Sequence, residues 1–113
     1  MTRIYKILPR QDWAAAQAEG RFAGSPVDLA DGFIHFSTAA QAQETARRHF
    51  AGQPDLVVLA VEADDLGPDL KFEPSRGGDL FPHLYGALDT GLVRAVTEAP
   101  LDASGVPQVG RLA

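Results

Sequence analysis

Six consecutive apolar residues, Leu56-Val57-Val58-Leu59-Ala60-Val61, constrain this chain more than any other feature. A strand turns alternate side chains to opposite faces, so an unbroken apolar run needs cover on both. Such a strand belongs in the middle of a sheet with packing on each side. At 113 residues, 45% of them hydrophobic, the chain has the material for one core and one domain, residues 1–113. It contains no cysteine, which removes disulfides, thiolate metal sites and cysteine nucleophiles.

The flanking segments supply candidate layers. Thr2 to Leu8 alternates and reads as a first strand. Gln11 to Glu19 is alanine-rich and reads as a helix, anchored on the core by Trp13 and stopped by Gly20. Phe22 to Asp31 reads as a connection, with Gly24-Ser25-Pro26 as its turn. Gly32 to Ser37 reads as a second strand, and Thr38-Ala39-Ala40-Gln41 as a capping box opening a helix from about Ala39 to Phe50. Beyond the apolar run, Ala63 to Pro68 reads as a turn with room for one short helical turn. Leu70 to Glu73 reads as a short strand, Pro74 to Pro82 as a loop, Leu84 to Leu88 as a short strand and Leu92 to Glu98 as a late strand. The last dozen residues read as an irregular or edge-strand tail. Two early helices followed mainly by strands predict an α+β domain with a mixed or antiparallel sheet.

The formal charge of −5 disfavours sequence-independent binding to nucleic acid, which needs many phosphates neutralised. A local basic pocket remains open, since eight of the ten basic residues are arginine, the residue suited to bidentate phosphate contacts. The opening Met1-Thr2-Arg3-Ile4-Tyr5-Lys6-Ile7 lacks a signal-peptide pattern, and no apolar stretch approaches the ~20 residues that cross a bilayer. The expected location is the cytoplasm, with no membrane partner.

Three segments could carry chemistry. In Gly32-Phe33-Ile34-His35-Phe36-Ser37, strand alternation places Phe33, His35 and Ser37 on one face. Histidine can act as donor, acceptor or acid–base near neutral pH, and Ser37 lies just before the helix cap. The alternative is a core histidine with a backbone partner and a serine that assists capping. In Phe81-Pro82-His83-Leu84-Tyr85-Gly86, His83 and Tyr85 face the same way and could wall a nucleobase or nicotinamide-like ring. They could equally close the sheet as a packed aromatic turn. Arg76-Gly77-Gly78-Asp79 could approach a phosphate, but it matches no phosphate-loop or dinucleotide fingerprint and also reads as a solvated turn. The three histidines, His35, His49 and His83, show no metal-ligand spacing, so no metal is expected. His49, near the end of its helix, is explained by the helix dipole.

These motifs resemble a bacterial family, domain of unknown function 952. The resemblance rests on Ile4-Tyr5-Lys6-Ile7, Trp13, Gly32 to Ser37, Leu56 to Val61, Phe72-Glu73 and Phe81 to Gly86. It implies a fold similar to the ADP-ribosyltransferase superfamily. Phe33 to Ser37 is similar to the His-x-His-x-Ser region of RNA 2′-phosphotransferases, with His35 and Ser37 matching the later histidine and the serine. The first-strand histidine of that pattern is replaced by Lys6, which can contact phosphate but needs a large pKa depression for acid–base work at neutral pH. The implied ligand is NAD, as substrate, or an ADP-ribose-type group. His35 and Ser37 would be the catalytic pair, and Lys6, Glu73, Arg76, His83 and Tyr85 the ligand contacts. A non-catalytic binding module, or an interaction domain that forms a homodimer, are the alternatives.

Overall fold

Strand β5 (Leu56–Glu62) is buried at every residue and lies between two antiparallel neighbours. Strand β1 (Arg3–Pro9) pairs with its whole length, from Arg3 opposite Glu62 to Pro9 opposite Leu56. On the other side lies β9 (Val93–Glu98). The computed structural model that shows this describes residues 2–113, and the side chain of Arg76 lies outside the described residues. The alternation of β5 divides the interior in two. Val57, Leu59 and Val61 face one apolar cluster, with Ile4, Leu8, Trp13 and Phe22. Leu56, Val58 and Ala60 face another, with Tyr5, Ile7, Ala42, Ala46 and Val109.

Helix α1 (Arg10–Glu19) covers the first face through Trp13 and Ala16, and ends at Gly20, whose φ of 82° only glycine adopts at ease. Strand β2 (Arg21–Phe22) follows. Residues 26–31, expected as part of a connection, form a further short helix, α2 (Pro26–Asp31). Its start has Ser25 as cap, Pro26 in the first turn and the Asp28 carboxylate accepting from the Ser25 N–H at 2.8 Å.

The segment 32–37 is two strands, not one. β3 (Ile34–His35) pairs with β7 (Asp79–Leu84), while β4 (Ser37–Thr38) pairs with β1. The switch has a chemical cause. The next rung after His35 opposite His83 would pair Phe36 with Pro82. The Phe36 N–H donates to the Pro82 carbonyl at 3.0 Å, but proline has no N–H to return the bond. The ladder stops and the chain crosses to β1. Thr38 then caps α3 (Ala39–His49), with its N–H donating to Gln41 Oε1 at 3.0 Å. This helix lies against the second face through the small side chains of Ala42 and Ala46.

The expected loop at 74–82 is instead a β-hairpin. β6 (Leu70–Ser75) pairs with β7 from Leu70 opposite Leu84 to Ser75 opposite Asp79, turning through Arg76–Gly78. Pro74 is tolerated because β6 is an edge strand. The strand expected at 84–88 is displaced to β8 (Leu88–Asp89), which pairs with β2. Every pairing among the described residues is antiparallel, in sheets ordered β4-β1-β5-β9, β3-β7-β6 and β2-β8. The α+β class is as expected, with a third helix added. Among the described residues no helix is long and apolar enough to cross a membrane.

Candidate functional site

Lys6 starts the site because it stands where an apolar residue should. It follows Ile4 and precedes Leu8 on the core-facing side of β1, and is buried. A buried ammonium needs a counter-charge. Asp28 provides it, at 2.8 and 3.1 Å from the two carboxylate oxygens. Asp28 is the one buried residue of α2. It also accepts from the backbone N–H of His35 at 3.1 Å and from His35 Nδ1 at 2.6 Å. Burial alone would raise the Asp28 carboxyl. The bond from His35, the charge and bonds of Lys6 and the Ser25 N–H outweigh it and hold the pKa down to about 2. Lys6 has fewer partners, so burial pushes its ammonium below the usual value while Asp28 opposes the change.

Asp28 therefore fixes the orientation of the His35 ring, as an orienting carboxylate does for a catalytic imidazole. The opposite nitrogen, Nε2, meets Asp31 Oδ2 at 2.9 Å, at the exposed end of α2. His35 opens onto a cleft of about 630 Å³ whose walls include Lys6, Ser37, Arg48, His49 and His83.

A ring cluster backs this wall. Phe33 stacks on His83 with centroids 4.0 Å apart, and also meets His35 at 4.6 Å and Tyr85 at 5.2 Å. His35 and His83 meet edge-on at 5.6 Å, as their cross-strand register dictates. Glu73 Oε1 accepts from both the Tyr85 hydroxyl, at 2.7 Å, and His83 Nδ1, at 2.8 Å. Those bonds, Tyr85's first, lower the Glu73 carboxyl, and Glu73 in turn raises the Tyr85 hydroxyl.

The seven residues expected at the site divide accordingly. Lys6, His35, Ser37 and His83 line the cleft, whereas Glu73 and Tyr85 sit outside its walls, on the ring cluster. Arg76 stands at the hairpin tip, and its side chain is outside the described residues. Ser37 is buried and shares a 2.8 Å hydrogen bond with Thr45 of α3, while capping falls to Thr38. Asp28 and Asp31 went unrecognised in the sequence. Asp28 has a signal in Ser25-Pro26-Val27-Asp28, a capping pattern of the same kind as the one at Thr38, whereas Asp31 has none. Arg48 and His49, from the last turn of α3, are also on the cleft wall. Among the described residues no group of three or more His, Asp or Glu side chains is arranged to hold a metal ion.

The chain is similar to solved structures of protein CC0527 from Caulobacter crescentus. Its crystal structure is 61% identical, with 96% of each chain covered and a TM-score of 0.94. The solution structure of the same protein is 62% identical over 97% of this chain and 95% of that one, with a TM-score of 0.87. No curated protein matches at a significant level. The model of the family described as protein of unknown function (DUF952) matches residues 7–96, which take in β1 from Ile7, both histidine motifs and most of β9. The chain therefore belongs to the DUF952 family of proteins of unknown function.

Proposed function

We propose that the cleft at His35 binds NAD or an ADP-ribose-type ligand, and that the fold is related to that of the ADP-ribosyltransferases. The observation that carries this reading is the buried Asp28 carboxylate orienting a one-third exposed imidazole on the cleft wall, whose other nitrogen meets the exposed Asp31 carboxylate. About 630 Å³ lies within the roughly 300–1,000 Å³ of small-molecule sites. The walls mix apolar side chains such as Phe36 and Phe81 with the cationic Arg48, the pairing of properties that a base, a ribose and a phosphate require. His35 would contact a ribose hydroxyl or a phosphate and serve as acid–base in transfer chemistry.

A second reading, binding without turnover, is favoured by two observations. Lys6 is committed to Asp28, and the Ser37 hydroxyl is bonded to Thr45 rather than to His35. Calorimetric titration with NAD and ADP-ribose, paired with an assay for released nicotinamide, separates the readings. Saturable binding lost in His35→Ala supports the site. Nicotinamide release lost in the same variant supports transfer, and binding without release supports the binder. No heat at millimolar ligand, with the protein shown to be folded, overturns both.

A further inference from the structure

We infer that the Asp31 carboxylate fills an oxyanion subsite of the cleft, and that a phosphate of a bound ligand displaces it from His35 Nε2. This deepens the reading of the cleft as an ADP-ribose-type site and rests on it.

The two carboxylates on His35 differ in kind. Asp28 is 1% exposed and also holds Lys6 and two backbone N–H groups. It cannot leave without stranding a buried ammonium. The Asp31 side chain is 49% exposed, and its bond to Nε2 is its one side-chain hydrogen bond among the described residues. An exposed pair of that kind is weak and easily exchanged. Exchange needs only the Asp31 side chain to move, since the Gly32 and Phe33 N–H groups hold the helix end on the Asp28 carbonyl. Asp31 is the last residue of α2 and precedes Gly32, whose φ is 87°. Every other residue of α2 except Asp28 is exposed, so the Asp31 side chain has open space to rotate into.

A phosphate oxygen at the position of Asp31 Oδ2 would keep the bond to Nε2 and bring more charge. Arg48 on the same cleft, paired with Glu44 at 2.8 Å, adds a guanidinium. With Asp31 in place the imidazole is shared between two carboxylates. With a ligand in place Asp28 still orients the ring while the second anion belongs to the ligand. The protein's own carboxylate is thus a competitor that sets the affinity for phosphate-bearing ligands.

The test compares wild type with Asp31→Asn, using ADP-ribose and adenosine, which lacks phosphate, as calorimetric probes. Loss of a charged competitor should tighten ADP-ribose binding about threefold, the scale of one exposed ion pair. Adenosine binding should be unchanged. Equal or weaker ADP-ribose binding in Asp31→Asn overturns the inference, as does equal tightening of both probes. If neither protein binds ADP-ribose, the ADP-ribose reading fails, and inorganic phosphate decides the subsite by itself. A His35 ring-nitrogen resonance that shifts at lower phosphate in Asp31→Asn than in wild type upholds the subsite. No shift, or a shift at the same concentration, overturns it.

Discussion

Replacing Asp28 by alanine should be among the most damaging single changes in this chain. The carboxylate is buried and bonded to Lys6, to His35 at two atoms and to the Ser25 N–H. Its removal leaves the Lys6 ammonium buried without a counter-charge. Breaking a buried pair from one side costs about 3–5 kcal/mol, against a total stability of about 5–15 kcal/mol. With a urea m-value near 2 kcal/mol/M, the midpoint should fall by about 1.5–2.5 M. Lys6→Met should cost less, because Asp28 keeps its donors from His35 and Ser25. Adding Lys6→Met to Asp28→Ala should recover about 1 kcal/mol or more, since the stranded charge is gone. Urea unfolding followed by circular dichroism on the three variants reads all of this. An Asp28→Ala loss under about 1 kcal/mol, or a double variant weaker than Asp28→Ala, would refute the claim that charge burial at Lys6 governs this site.

Acid should act through the same residue. Its carboxyl is held at about 2 against an ordinary 3.8, so the folded state binds fewer protons. That contribution, about 2 kcal/mol, is complete above pH 3.8 and is lost as pH falls towards 2. The fall of Tm between pH 5 and 2 should therefore be steeper in wild type than in Asp28→Ala. Gly24→Ala should destabilise and weaken ligand binding together. Gly24 has φ 126°, and an added Cβ would lie 2.9 Å from the Asp28 Cβ; unchanged melting and affinity would refute this. Gln41→Ala removes the cap bond to Thr38 and the bond from its amide to the Leu80 carbonyl, tying α3 to the hairpin. It should cost about 1 kcal/mol in a thermal melt.

The parts legible in the sequence were those with long or redundant signals. The apolar run of β5, the alternation of β1 and β9, the alanine-rich α1 and the capping box of α3 each carry several residues of consistent pattern. The parts that were not legible depend on partners distant in sequence. Pro74 and Pro82 read as loop residues, because nothing local shows that β6 is an edge or that Pro82 ends its ladder with β3. The break at Phe36 follows from a proline 46 positions away. Helix α2 has only six residues, too few to show a periodicity, and its one buried residue is polar. The site was half legible for the same reason. His35 and His83 were visible as motifs, and the structure brings their rings together. The partners that define their chemistry, Asp28 on one and Glu73 on the other, lie on different elements.

The proposed site at His35 stands on whether an ADP-ribose-type ligand enters the cleft. Two-dimensional amide NMR during an ADP-ribose titration tests it most directly, because it locates binding as well as detecting it. Saturable shifts should concentrate at Lys6, Asp31, His35, Ser37, Arg48 and His83, the residues on the cleft wall. Shifts confined to other surfaces, or none at millimolar ADP-ribose with the spectrum of a folded protein, would contradict the account.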